Sequence, residues 1–345
     1  MKLIKINKTL VGEGKKPYII AEACINHQGN MKMAKKMIEK AGQCGVSAVK
    51  FQFHVLDDEM LKTTPISNNF KKNLYDTLDE TNFNIKEHKE LKRLCKINQL
   101  DYLCTPFSFK SADILEKDIK VKVFKMGSGE LTNHPFQVHV AKKKLPTIIS
   151  TGMSELSEIS ETLKLVKKLN QKICLTQCTS AYPCPPNISN IGVIKVFKKK
   201  FKIPIGLSDH TNNNYTSFGS IALGACLIEK HFTLDKNLPG PDHASSINPE
   251  ELKQLVEGCM QIYLAKSDIK KIHPQEKKII SWARESVVTT KNIQKDENFT
   301  INNISVKRPA PSNKEIAPKF FWKILKKKSN RNLKKNEKIK WTDIK

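Results

Sequence analysis

Residues 203–246 read IPIGLSDHTNNNYTSFGSIALGACLIEKHFTLDKNLPGPDHASS, and the way this stretch divides decides the fold. Two short apolar runs, IPIGLSD (203–209) and CLIEKHF (226–232), flank a spacer of helical pattern. Each run reaches a histidine, His210 and His231, and continues into a polar loop. Neighbouring parallel strands joined by a crossover helix present side chains at one rim of a barrel in this way. Two imidazoles alone are weak evidence for a metal, because a buried, hydrogen-bonded histidine is the commoner fate of either. Their meaning depends on the rest of the chain.

Six further runs precede them: YIIAEA (18–23), SAVKFQ (47–52), DYLCTPF (101–107), KVFKMGS (122–128), LPTIIST (145–151) and ICLTQCTS (173–180). The segments between carry helical spacing. Asn30 can cap a helix whose Met33, Ala34, Met37, Ile38 and Ala41 share one face, with Cys44-Gly45 as its stop. A longer insertion and a helix near 85–98 follow the second strand. Leu156, Ile159, Leu163 and Val166 mark another helix, and a last one spans 249–266. Strand and helix alternate through the first three quarters of the chain, which favours an α/β fold, a (β/α)8 TIM barrel. The competitor is an open doubly wound sheet. It would show a G-x-G-x-x-G turn after the first strand, and none follows Ala23.

Residues 1–14 alternate enough for a short hairpin turned by Gly-Glu-Gly. After the barrel, taken as 1–267, residues 268–284 read as a linker with one helical turn or two. Residues 285–345 read as a small β-rich second domain, with Lys-Asp-Glu and Asn-Asn turns.

The net charge of +26 over 345 residues allows an anionic macromolecular partner. The lysines are spread along the chain rather than gathered in a stripe, so the excess reads as compositional bias, with no nucleic acid or membrane partner. Nine cysteines without a C-x-x-C pair read as reduced thiols. With no apolar run of membrane-spanning length and no signal-like start, a cytoplasmic protein is expected.

Polar residues gather where the eight runs stop: Glu22, Lys50 and Gln52, Thr105, Lys125 with Ser128 and Glu130, Ser150, Ser180 and Tyr182, Ser208 with His210, and Glu229 with His231. Any one of these alone reads as a cap or a solvated loop residue. Together, at the C-terminal mouth of a barrel, they make an enzyme. Lysines and hydroxyls suit a phosphate and a carboxylate. The two histidines suit a divalent ion such as Mn²⁺ or Zn²⁺ that would polarise a carbonyl. The glutamates are acid/base candidates. An enol phosphate condensing with an aldehyde fits this set. A Schiff-base aldolase using Lys125 or Lys50 as nucleophile is one rival. An anion-binding module built on the basic second domain is another.

The stretches IIAEACINHQGN, AVKFQ, FKMGSGEL, IISTGMSE, CTSAYPCP, GLSDHT and EKHFTLDKNLPGPDHASS resemble the sialic acid synthase family, in the family's order through the whole barrel. SVVTTKNIQKDENFTINNISVKRP resembles its antifreeze-like (SAF) domain. The resemblance implies a transferase that condenses phosphoenolpyruvate with an N-acetylated amino sugar, releasing phosphate by C–O cleavage. That sugar is N-acetylmannosamine or a 2,4-diacetamido-trideoxyhexose. It implies catalytic roles for Glu22, Lys125 and Glu229, and a phosphoenolpyruvate site of Lys50, Thr105, Ser128, Ser150, Ser180 and Ser208 that Lys125 adjoins. Gln52, Glu130, Tyr182, Asp242 and Arg308 would contact the sugar. His210 and His231 would bind the metal, Mn²⁺ ahead of Mg²⁺ or Co²⁺. Arg308 would act within a domain-swapped homodimer. The chain departs from the family pattern at Cys24 (usually glycine), at Ser180 (asparagine in some members) and in APSNKE after KRP, which replaces Gly-x-Gly. Asp242-His243 resembles the neuraminate and legionaminate branches more than the pseudaminate branch.

Overall fold

The computed structural model describes residues 3–64, 72–312 and 314–345; part of the insertion expected after the second barrel strand, residues 65–71, lies outside them. The chain divides into two compact units, Met1–Lys266 and Ser267–Lys345.

In the first unit a hairpin of β1 (Ile4–Ile6) and β2 (Thr9–Val11) comes first. Its turn is Asn7–Lys8, because Ile6 pairs with Thr9. Asn7 takes the left-handed backbone at φ 47°, which asparagine tolerates, and the expected Gly-Glu-Gly lies beyond β2 instead. Eight strands then follow: β3 (Tyr18–Glu22), β4 (Ala48–Phe53), β5 (Asp101–Pro106), β6 (Phe124–Met126), β7 (Thr147–Ser150), β8 (Ile173–Cys178), β9 (Ile205–Asp209) and β10 (Leu227–His231). They close in chain order into a parallel barrel, with β10 between β9 and β3. Every expected strand is present; seven are shorter by one or two residues at one or both ends, and β4 has the expected length but lies one residue further along. The first crossover helix, Met31–Cys44, is capped by the Asn30 side chain on the Lys32 and Met33 amides and stopped by Gly45 at φ 79°.

Side chains on a strand alternate between its two faces, and here the alternation sorts the molecule. Ile19, Val49, Tyr102, Phe124, Ile149, Leu175, Leu207 and Ile228 point outward into the core shared with the helices. Their neighbours Tyr18, Ile20, Ala48, Leu103, Val123, Ile148, Cys174 and Leu227 form a second cluster inside the barrel, closed below by Ile4, Ile6 and Val11 of the hairpin. Each large apolar side chain buried there contributes about 1.5–3 kcal/mol. On β9 the inward position is Gly206, where a Cβ would meet the Leu227 carbonyl oxygen at 2.7 Å, so β9 and β10 approach too closely for a side chain. This apolar floor fills the lower half of the barrel.

The second unit holds a helix (Pro274–Ala283), longer than the one or two turns expected there, and an antiparallel pair, β11 (Ser286–Thr289) and β12 (Ile304–Lys307). Its core is Val287, Ile293, Phe299, Ile304, Ile316, Ile324, Leu333 and Ile339. Trp322 stays outside that core and is exposed. All nine cysteines are free thiols, and among the described residues no helix is long and apolar enough to cross a membrane.

Candidate active site

Two residues beyond each floor position, the same inward face turns polar. Ile20 is followed by Glu22, Ala48 by Lys50, Leu103 by Thr105, and Val123 by Lys125. Likewise Ile148 is followed by Ser150, Cys174 by Thr176, Gly206 by Ser208, and Leu227 by Glu229. All eight polar residues are buried. Across neighbouring strands Glu22 pairs directly with Lys50, Ser150 with Thr176 and Ser208 with Glu229, and two-residue steps between these pairs carry the ring around the barrel.

Two lysines and two carboxylates pair within that ring. Lys50 Nζ lies 2.6 Å from Glu22 Oε2 and donates to Thr105 Oγ1 at 2.9 Å. Lys125 Nζ lies 3.3 Å from Glu229 Oε1 and donates to Ser150 Oγ at 2.7 Å. Ser150, Thr176 and Ser208 join their hydroxyls in a triangle with 3.0 Å sides. Burial pushes the Glu22 carboxyl up to about 7, with Lys50 pulling against it and Glu229 adding to the rise. Burial pulls down on Lys50, but Glu22 and Glu229 outweigh it and hold that ammonium above its ordinary value. Glu229 is held below the usual carboxylate range: burial raises it, and Lys125 and Lys50 overcome burial. Desolvated charges of this kind persist only in pairs. An incoming dianion could take over both lysines, with the hydroxyls supplying oriented donors around it.

Beside the lysines lies a second group of donors. The Gly152 amide donates to Ser128 Oγ at 3.1 Å, and Ser128 Oγ lies 3.4 Å from Cys178 Sγ. A Cβ on Gly152 would meet Ser180 Oγ at 2.2 Å and Ser128 Oγ at 2.7 Å, so only glycine lets the two hydroxyls converge. Ser180 Oγ is buried without a partner, a donor left for a ligand.

The histidines stand at the rim, with ring centroids 5.4 Å apart. His210 Nδ1 donates to the Thr179 carbonyl at 2.8 Å, which fixes the tautomer and leaves Nε2 with a lone pair. His231 is buried and its Nδ1 has no partner. Burial and the neighbouring His210 push it well below its ordinary value, so it is a neutral imidazole, the form that binds metals. Tyr182 covers both rings, 4.1 Å from His210 and 5.7 Å from His231. Asp242 Oδ2 lies 3.9 Å from His231 Nδ1, and one ligand atom from each of Cys24, His231 and Asp242 falls within 4.8 Å of the others. The donor set therefore fits a divalent ion.

The loop carrying Asp242 is fastened to the end of β3. Asn26 Nδ2 donates to Ser246 Oγ and to the Phe232 carbonyl, both at 2.9 Å, and Ser246 Oγ donates to the Asp242 carbonyl at 2.6 Å. Gln28 Nε2 meets His243 Nε2 at 3.1 Å. These bonds join the INHQ and PDHASS stretches. Of the remaining expected sugar contacts, Gln52 Oε1 lies 3.1 Å from His54 Nε2, whose Nδ1 lies 2.8 Å from Glu59. Glu130 accepts from Asn133 at 2.8 Å, and burial raises its carboxyl. Arg308 belongs to the second unit, exposed, with its guanidinium 6.0 Å from the Trp282 ring centroid.

Sequence reasoning assigned no site role to Thr176, Gly152 or Cys178. Thr176 could have been found by the two-residue step from Cys174, and Gly152 by its place directly after a strand. Cys178 was hidden among eight other cysteines.

Comparison with known proteins fits this geometry. The NeuB family model matches residues 37–271. The N,N'-diacetyllegionaminic acid synthase of Campylobacter jejuni is 40% identical over 94% of this chain and 99% of its own length. The N-acetylneuraminate-9-phosphate synthase of Mus musculus is 32% identical over 91% of this chain and 89% of its own. Among solved structures, the N-acetylneuraminic acid synthetase of Leptospira borgpetersenii, in complex with citrate, superposes with a TM-score of 0.73 at 29% identity. That match covers 81% of this chain and 95% of the other. The chain belongs to the NeuB family and is an enzyme.

Proposed function

We propose that this NeuB-family enzyme condenses phosphoenolpyruvate with an N-acylated amino sugar and water, giving a nine-carbon 2-keto acid of sialic acid type and inorganic phosphate. One observation carries the reading: two buried lysines, Lys50 and Lys125, share a hydroxyl-lined cradle directly beneath a neutral, partnerless imidazole. A phosphate and carboxylate of one small ligand suit the cradle, and an aldehyde suits the rim.

The chain's own residues divide the work. Lys50 and Lys125 would neutralise the two anionic groups, while Ser150, Thr176 and Ser208 fix their orientation. Ser128, oriented by the Gly152 amide, and Ser180 would donate to the phosphoryl oxygens. The methylene carbon of the enol phosphate then forms a bond to the aldehyde carbon, whose oxygen becomes a hydroxyl. Water adds to the carbon that bore the phosphate, and the C–O bond breaks with the electron pair leaving on phosphate. Glu22, poised near neutrality, can accept one proton of that water and pass it to the former aldehyde oxygen, and the other proton leaves with phosphate as the 2-keto group forms. Glu229 holds Lys125 in place. His210 and His231 would hold a divalent ion, which when bound polarises the aldehyde oxygen.

For the acceptor we favour a 2,4-diacetamido-trideoxyhexose, because the legionaminic acid synthase is the more similar of the two sequence relatives. The proposal includes a homodimer in which Arg308 serves the sugar, so Arg308→Ala should raise KM for sugar and leave KM for phosphoenolpyruvate unchanged. The test is sugar-dependent phosphate release against a panel with N-acetylmannosamine and 2,4-diacetamido-trideoxyhexoses. Release with at least one of these supports the reading; release with none of them, in the presence of Mn²⁺, Co²⁺ or Zn²⁺, sinks it. Covalent trapping of pyruvate on Lys125 or Lys50 by borohydride would favour the aldolase instead.

A further inference from the structure

We propose that Cys24 is a thiolate ligand of the divalent ion, with His231 and Asp242, so that this enzyme takes a thiophilic metal in preference to Mn²⁺ or Mg²⁺. The proposal rests on the reading that a metal binds at the rim.

Three observations converge. First, one donor atom from each of Cys24, His231 and Asp242 lies within 4.8 Å of the others. Ligand atoms around a tetrahedral ion stand roughly 3.5 Å apart, given metal–ligand bonds of about 2.0–2.3 Å. The 3.9 Å between His231 Nδ1 and Asp242 Oδ2 is already close to that spacing. Small side-chain rotations would close the remainder. Second, His231 Nδ1 is buried in this cluster with no hydrogen-bond partner, an orphan that a metal would satisfy. Third, Cys24 occupies left-handed backbone at φ 46°, which costs a side-chain-bearing residue on the order of 1 kcal/mol or more. Its side chain is nonetheless buried. Glycine would adopt this conformation freely, yet the residue here carries a metal-binding atom, and that atom lies within reach of the other two donors.

The three donors come from separate parts of the chain: the turn after β3, the end of β10, and the loop that Asn26 ties to β3. Binding exchanges the thiol proton for a sulfur–metal bond, and the proton goes to solvent. A sulfur, nitrogen and oxygen donor set suits Zn²⁺, Co²⁺ or Fe²⁺, whereas Mn²⁺ and Mg²⁺ prefer oxygen-rich sites. This modifies the preference for Mn²⁺ expected from the two histidines alone.

The test is titration of the metal-stripped enzyme with Co²⁺, followed by absorption. The wild type should show a near-ultraviolet thiolate-to-cobalt charge-transfer band together with visible ligand-field bands. Cys24→Gly accepts φ 46° without strain and should fold. It should keep ligand-field bands, lose the charge-transfer band, and bind Zn²⁺ more weakly relative to Mn²⁺ by roughly tenfold or more, since loss even of a group behind a ligand costs that much. Cobalt bound in the wild type without the charge-transfer band, or an unchanged band in Cys24→Gly, overturns the proposal. Failure of the wild type to bind cobalt, or binding unaltered by His231→Ala, overturns the underlying metal reading and the proposal with it.

Discussion

The floor and the mouth of this barrel are built from the same eight strands and the same inward face, yet they obey opposite rules. Ile20, Leu103, Ile148 and Leu227 pack against each other and the N-terminal hairpin, so the floor is held by burial of apolar surface. Glu22, Thr105, Ser150 and Glu229, two residues on, are as deeply buried but apolar packing contributes little to them. They are held by charge pairing and hydroxyl donors. A step of about 6.6 Å along a strand separates a stabilising layer from a reactive one. Apolar burial below keeps the strands rigid, and that rigidity lets a ring of desolvated charges persist above.

The contrast can be broken at either end. At the mouth, Lys125→Met removes the ammonium paired with Glu229 and should cut turnover by roughly a thousandfold, the scale of losing one preorganised electrostatic contact. Steady-state phosphate release is the readout; turnover within a factor of ten of wild type would remove Lys125 from the mechanism. At the floor, Leu227→Ala should cost about 2–5 kcal/mol of unfolding free energy through the cavity it leaves, with both KM values unchanged in the folded fraction. A denaturant titration beside the kinetic assay separates the two effects. A floor substitution that changed KM would mean the layers are coupled.

A smaller effect sharpens the comparison through pH. Glu22 is pushed up from 4.5 to about 7, so the folded state holds a proton that the unfolded chain has released. Its contribution is therefore full below pH 4.5 and is lost as pH rises to 7. Glu22→Gln lacks this dependence. Its stability relative to wild type should rise across that window by about 1–3 kcal/mol and then level off. A difference that stays flat with pH would contradict the raised carboxyl. The smallest expected effect is that of Ser150→Ala. It should weaken phosphoenolpyruvate binding by roughly tenfold, near the low end for one hydrogen bond to a charged group, while stability stays within about 1 kcal/mol.

Much of this was legible because a strand's alternation is written in its residues. Each of the eight runs named its strand, and on seven of them a polar residue near its end named a member of the ring; on β8 the ring member, Thr176, was passed over for Ser180. The pairings were not legible. Nothing in YIIAEA and SAVKFQ says that Glu22 meets Lys50 rather than Lys125, because that depends on register between strands. Gly152 also escaped, since its contribution is an amide and an empty space that two serines close around. Cys24 appeared in the sequence only as a departure from the family pattern. Its backbone angle and its neighbours His231 and Asp242 needed the fold. The hairpin turn was misplaced because Gly-Glu-Gly is the stronger turn signature locally, whereas the pairing of Ile6 with Thr9 put the turn at Asn7–Lys8.

The central claim is that the mouth joins phosphoenolpyruvate to a sugar and breaks its C–O bond. The direct measurement is mass analysis of the phosphate formed when the enzyme turns over both substrates in heavy-oxygen water. If the account holds, phosphate appears only when sugar is present and carries no solvent oxygen, because water adds to carbon. Phosphate that carries one solvent oxygen, or forms equally without sugar, would contradict it.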